Sequence, residues 1–138
     1  MPGDPAVYNE LAVVKFRGKE YEAAARWIGE CLRRLPEVPS VAWVAVVSNM
    51  AHIQRKLGNY GQAVDWYEHA LMLTPKDHSI LSSLGFTHHL MGGAHLVTAI
   101  EYYHKALALM PQDNHVSELL ECALAEDVRR GFPADRPF

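Results

Sequence analysis

An all-α fold is predicted by three features of this 138-residue sequence, and they specify an α-solenoid of about three helical hairpins plus a capping helix. The first is a proline that recurs in a turn context. Pro2-Gly3-Asp4, Pro36-Glu37, Pro75-Lys76-Asp77 and Pro111-Gln112-Asp113 follow one another at separations of 34, 39 and 36 residues. A period in the mid-thirties marks a repeating unit of two helices. The second feature is a glycine signal midway through each interval: Gly18 with Tyr21, Gly58 with Tyr60, and the pair Gly92-Gly93. These are the hairpin turns. The third is an apolar stripe at helical spacing after each turn, namely Ala24, Ile28, Cys31, Leu32, then Ala63, Tyr67, Ala70, Leu71, then Ala99, Tyr103, Ala106, Leu107.

The elements follow in chain order over an array at 4–130. The first hairpin, at 5–38, opens with Asp4, whose carboxylate can accept from free backbone N–H groups and complement the helix dipole, and Pro5 suits the first turn. Its first helix carries Tyr8, Leu11 and Ala12, which match Val47, Met50 and Ala51 in the second hairpin and Leu81, Leu84 and Gly85 in the third. The small third residue of each set, with Ala24, Ala63 and Ala99 opposite, lets paired helices approach closely. The second hairpin, at 41–77, follows a longer linker, Pro36-Glu37-Val38-Pro39-Ser40. The third, at 78–113, opens on the N-cap Asp77, and its turn, Gly92-Gly93-Ala94-His95-Leu96, has about two residues more than its counterpart at Gly58. Asp113 then caps a helix at 114–130 with Val116, Leu119, Leu120, Ala123 and Leu124 on one face, able to cover the last hairpin. Gly131 stops it, and 131–138 reads as an irregular tail.

Composition excludes several function classes. A formal charge of −3 and a pI near 6.2 give no electrostatic reason to bind nucleic acid. No apolar run approaches the roughly 20 residues of a membrane span, and the start lacks a basic, then apolar, leader, so cytoplasm or nucleus is the expected location. Cys31 and Cys122 both fall on apolar-periodic segments and are expected as reduced core thiols. An enzyme needs a constellation, and none stands out: no nucleophile elbow, no phosphate-binding glycine loop, no paired carboxylates. Eight histidines include His88, His89, His95 and His104. His88 and His89 point about 100° apart on a helix and His95 falls in a turn, so the spacing argues against convergence on a metal. Neither metal nor cofactor is expected. Glu118, Glu121, Glu126 and Asp127 read as a solvated acidic face.

The small residues at the close-packing points, the large residue four positions after the second alanine, and the closing proline together resemble the tetratricopeptide repeat. Three copies agree, and the first departs most, with Ile28 for the usual aromatic and Cys31 for the usual alanine. Asp4 to Trp27, Asn49 to Ala70 and above all Leu84-Gly85-Phe86-Thr87-His88-His89-Leu90-Met91-Gly92 resemble the C-terminal repeats of the Cdc-sixteen-type subunits of the anaphase-promoting complex, a ubiquitin ligase of mitotic exit. That resemblance implies a scaffold without catalytic activity that contacts other protein subunits and encloses a segment of a small stabilising subunit in its groove. Pro2-Gly3-Asp4 reproduces a junction between repeats, so a preceding hairpin is expected, and without it Tyr8, Val14 and Trp27 are poorly covered and self-association is expected.

In a solenoid of hairpins the first helices line the concave face. The groove candidates are therefore Asn9, Val13, Phe16 and Arg17, then Asn49, His52, Arg55 and Lys56, then Phe86 and His89. Phe16 and Phe86 suit apolar side chains, and Arg17, Arg55 and Lys56 suit carboxylates. Asn49 is the leading candidate, because an amide there can pair with a bound peptide's backbone. A rival reading, a generic adaptor or a co-chaperone that clamps a C-terminal carboxylate, needs several cations in the groove. The corresponding positions hold Asn9, Val13, Asn49, Ser79 and Ser83, of which only Asn49 fits.

Overall fold

A computed structural model describes residues 3–36 and 40–131. Pro2, the linker residues 37–39 and the tail from 132 onward, all of which enter the sequence argument, lie outside the described residues. The described chain is helical: α1 (Pro5–Arg17), α2 (Tyr21–Arg33), a short 3-10 turn (Val41–Trp43), α3 (Val44–Lys56), α4 (Tyr60–Leu73), α5 (His78–Met91), α6 (His95–Leu109) and α7 (Asn114–Gly131). The helices fall into two compact units that divide between Pro75 and Lys76. In the first, α1 pairs with α2, α2 packs on α3, and α3 pairs with α4; in the second, α5 pairs with α6, and α6 packs on α7.

Three helices begin on an aspartate cap. Asp4 Oδ1 accepts from the Ala6 amide at 2.9 Å, Asp77 Oδ1 from Ile80 at 3.2 Å, and Asp113 Oδ1 from Val116 at 3.1 Å. These satisfy donors that a helix start leaves without an intrahelical partner. The first two turns share one geometry in a different register from the glycine alignment. In the second, Gly58 takes φ +84, and the Asn59 amide donates to the Gln54 carbonyl at 2.8 Å. In the first, the equivalent residue is Lys19 at φ +62, with the Glu20 amide donating to Lys15 at 2.9 Å, while Gly18 sits one place earlier at φ −79. The third turn uses both its glycines, Gly92 at φ +68 and Gly93 at φ +55.

Most of each stripe after a turn is core, with Leu32, Leu71 and Leu107 only half-buried at its edge. Ala24, Ile28, Cys31, Ala63, Tyr67, Ala70, Ala99, Tyr103 and Ala106 are wholly buried. In the first unit Ala12, Ala24, Ile28, Cys31, Val46 and Ile53 form a cluster closed by Tyr8, Phe16, Trp27 and Trp43. Gly85 shows why a small residue is needed where helices pair. A Cβ there would lie 2.6 Å from Cδ1 of Tyr103. Some expectations fail at the solvent boundary. Cys122 is exposed, one turn position off the buried face, so only Cys31 is a core thiol. Leu124 is 42% exposed, and the α7 contact face narrows to Val116, Leu120 and Ala123. Leu11 is likewise exposed where Leu84 is buried, while α7 ends at Gly131, one residue beyond the 114–130 span read from the sequence. Val14 is 63% exposed as expected, but Tyr8 and Trp27 shelter one another with ring centroids 5.9 Å apart, and the Arg34 guanidinium lies 4.3 Å from the Tyr8 ring centre.

Candidate functional site

Helices α1 and α3 meet along one side of the first unit and leave a cavity of about 210 Å³ between them. It is lined by Ala12, Val13, Phe16 and Arg17 from α1 and by Asn49, His52 and Ile53 from α3. The spacing of the lining residues is helical on both sides, so one face of each helix supplies them. Ala12 and Ile53 belong to the core, and the cavity is therefore a shallow opening onto it. Phe16 is held edge-on to Tyr21, with centroids 5.3 Å apart. The Asn49 side-chain amide donates to Oδ1 of Asn9 at 3.1 Å, tying the two helices together across the cavity rim. That bond uses one N–H of Asn49 and leaves its carbonyl oxygen for another donor.

His52 is the histidine of the cavity wall. Its Nδ1 shares a hydrogen bond with the hydroxyl of Tyr67, and the two rings meet at 63°. Burial, and secondarily the charge of Arg55, push its pKa from 6.5 down to about 4, so the ring is neutral at physiological pH. Arg17, at the exposed end of α1, is then the cation on the lining. Arg55 and Lys56 do not line the cavity, although Arg55 acts on it electrostatically.

The two remaining sequence candidates lie on α5 in the second unit. Phe86 is half-buried. His89 is a strut between helices: Nδ1 shares a hydrogen bond with the Tyr103 hydroxyl at 3.1 Å and Nε2 lies 3.2 Å from Oε1 of Glu126 on α7. Glu126 thus carries a contact to α5 while 42% of its side chain stays exposed on the acidic face of α7. The histidines also converge more than their spacing suggests. His95 is the first residue of α6, and its Nδ1 is 3.3 Å from Nδ1 of His88, a contact that a tight two-glycine turn creates and that helix geometry alone does not reveal. A further link, His78, escaped the sequence argument. Its Nε2 lies 2.8 Å from Oδ2 of Asp113 and its Nδ1 3.0 Å from the Ala106 carbonyl.

The family description "TPR repeat" matches residues 51–92, the end of α3 through the turn after α5. Anaphase-promoting complex subunit 6 of Arabidopsis thaliana is 43% identical over 130 residues, covering 94% of this chain and 24% of the relative. The Cell division cycle protein 16 homolog of Homo sapiens is 35% identical over 116 residues, covering 81% of this chain and 18% of the relative. Among solved structures, the APC/C hetero-tetramer Cut9–Hcn1 superposes with a TM-score of 0.81 at 28% identity, over 88% of this chain and 23% of that one.

The chain is a tetratricopeptide-repeat protein. Over most of its length it is homologous to the Cdc16/APC6/Cut9 subunits of the anaphase-promoting complex, and it is a repeat scaffold related to them. It spans 24% of the length of the Arabidopsis relative and 18% of the human one. Among the described residues no helix is long and apolar enough to cross a membrane.

Proposed function

We propose that this tetratricopeptide-repeat chain acts within a cell-cycle ubiquitin-ligase assembly of the anaphase-promoting type, in the cytoplasm or nucleus, by holding an extended segment of a small partner subunit against the α1–α3 cavity. The observation that carries the reading is the make-up of that cavity: an apolar floor of Val13, Phe16 and Ile53, an amide pair at Asn9 and Asn49, and a cation at Arg17. An apolar side chain enters the floor, the segment's backbone bonds to Asn49, and an acidic neighbour lies near Arg17. The neutral His52 adds a polar wall without a charge that burial would penalise. Cut9, to which this chain is similar, is found in a hetero-tetramer with Hcn1, and we carry over a partner subunit of that kind. Arg55 and Lys56 extend the basic side of the surface, and Phe86 and His89 stay candidates within the second unit by itself.

The test uses a fluorescent peptide with the N-terminal sequence of an Hcn1-type subunit and follows its anisotropy on titration with the chain. Asn49→Ala weakens binding roughly tenfold, because an unpaired buried polar group costs on the order of 1–3 kcal/mol. Arg17→Ala acts mainly at low salt. Glu68→Lys, on the exposed side of α4, leaves binding unchanged. Tight binding by Asn49→Ala together with loss in Glu68→Lys would move the binding surface off the cavity.

A further inference from the structure

The turn between α5 and α6 joins two imidazoles that peptide binding at the cavity does not employ. Nδ1 of His88 and Nδ1 of His95 are 3.3 Å apart, with the rings 27° from parallel. Gly92 and Gly93 create this approach through positive φ values, and both sit in open space. His88 is buried in the last turn of α5 and stacks at 14° on the Tyr102 ring, 5.8 Å between centroids, which fixes its plane. His95 is exposed at the start of α6.

Two ring nitrogens bound to one tetrahedral ion at about 2.0–2.1 Å are separated by about 3.3–3.4 Å. A hydrogen bond from an N–H donor ordinarily spans about 2.7–3.2 Å. The observed separation is at the long end for a shared proton and also fits a shared ion. We propose that His88 and His95 form a two-histidine site for an imidazole-seeking divalent transition metal, zinc or copper(II), bound through Nδ1 of both rings.

The surroundings define what such a site can do. The exposure of His95 leaves the other coordination positions to water. The positive end of the α6 dipole and the Lys105 ammonium, 5.2 Å from the Tyr102 ring centre, oppose a cation. The site is accordingly weak, and copper(II) fills it ahead of zinc.

The experiment is a titration of the whole chain with zinc chloride, followed by long-range proton–nitrogen spectra that resolve each imidazole nitrogen, and repeated with copper(II) by electron spin resonance. The expected result is that the Nδ1 signals of His88 and His95 move together to an endpoint of one ion per chain. His95→Gln, a surface change that leaves the core alone, abolishes that endpoint, and His104→Gln at an exposed position of α6 preserves it. Equal, unsaturated shifts of all exposed histidines, or an unchanged endpoint in His95→Gln, overturn the proposal.

Discussion

Tyr103 decides what Gly85 can be. The ring is wholly buried and its hydroxyl is held by His89, so it cannot swing aside when a Cβ arrives 2.6 Å from its edge. Gly85→Ala is therefore destabilising by about 1–3 kcal/mol although alanine is the better helix former. Urea denaturation measures this, and combining Gly85→Ala with Tyr103→Leu should recover part of the loss, which an effect confined to the α5 backbone would not allow. Lys19 is the opposite case. Its φ of +62 puts an ordinary side chain where the second hairpin has Gly58. The left-handed region costs a non-glycine residue roughly 1–2 kcal/mol, and glycine's greater unfolded-state freedom offsets part of the relief. Lys19→Gly should raise stability by about 0.5–1 kcal/mol, and Gly58→Lys should lower it; an unchanged or lower melting temperature in Lys19→Gly would show that the turn carries no strain.

At the scale of the element, α7 is attached by caps and histidines as well as by its apolar face. Asp113 both caps α7 and meets His78 from the start of α5, while Glu126 near the other end meets His89. Hydrogen bonds to Val116 and His78 hold the Asp113 pKa below its ordinary value, and the carboxylate in turn helps hold His78 above 6.5 despite desolvation. Asp113→Ala should free the first turn of α7, costing about 1 kcal/mol as cap losses do. Amide exchange at Val116 and Ser117 would then speed up while exchange in α2 and α3 stays as it was. Uniform protection of α7 in the variant would mean that Val116, Leu120 and Ala123 alone suffice. The cap itself was legible, since an aspartate after a closing proline signals a helix start. The two histidine links were not, because their partners lie 35 and 37 residues away and follow no periodicity. Cys122 and Leu124 misled for a related reason: an amphipathic pattern gives the direction of a buried face but not its width, which depends on how much neighbouring helix covers it.

For the whole molecule, the repeat made the hairpins, their caps and their buried stripes readable, whereas the candidate site was readable only as a row of first-helix residues. That Val13, Phe16, Asn49 and His52 surround one cavity while Arg55 and Lys56 stand off it depends on how α1 and α3 approach, which no local signal encodes. The same packing gives the chain a pH dependence that its composition does not suggest. His52 and His88 have folded-state values below 6.5, so the unfolded chain takes up their protons first, and stability falls as the pH drops below 6.5. His78 is raised, so its contribution is complete below 6.5 and is lost as the pH rises through its folded value. Two groups against one make acidification the damaging direction. For His52 alone the shift to about 4 corresponds to roughly 2 kcal/mol lost between neutrality and about pH 5. Urea midpoints should therefore decline over that interval, and His52→Gln should flatten the decline while lowering stability at neutral pH through the altered Tyr67 bond. A decline of equal slope in His52→Gln would show that the ring in the cavity wall already takes up its proton in the folded state, leaving His88 as the source of the acid sensitivity.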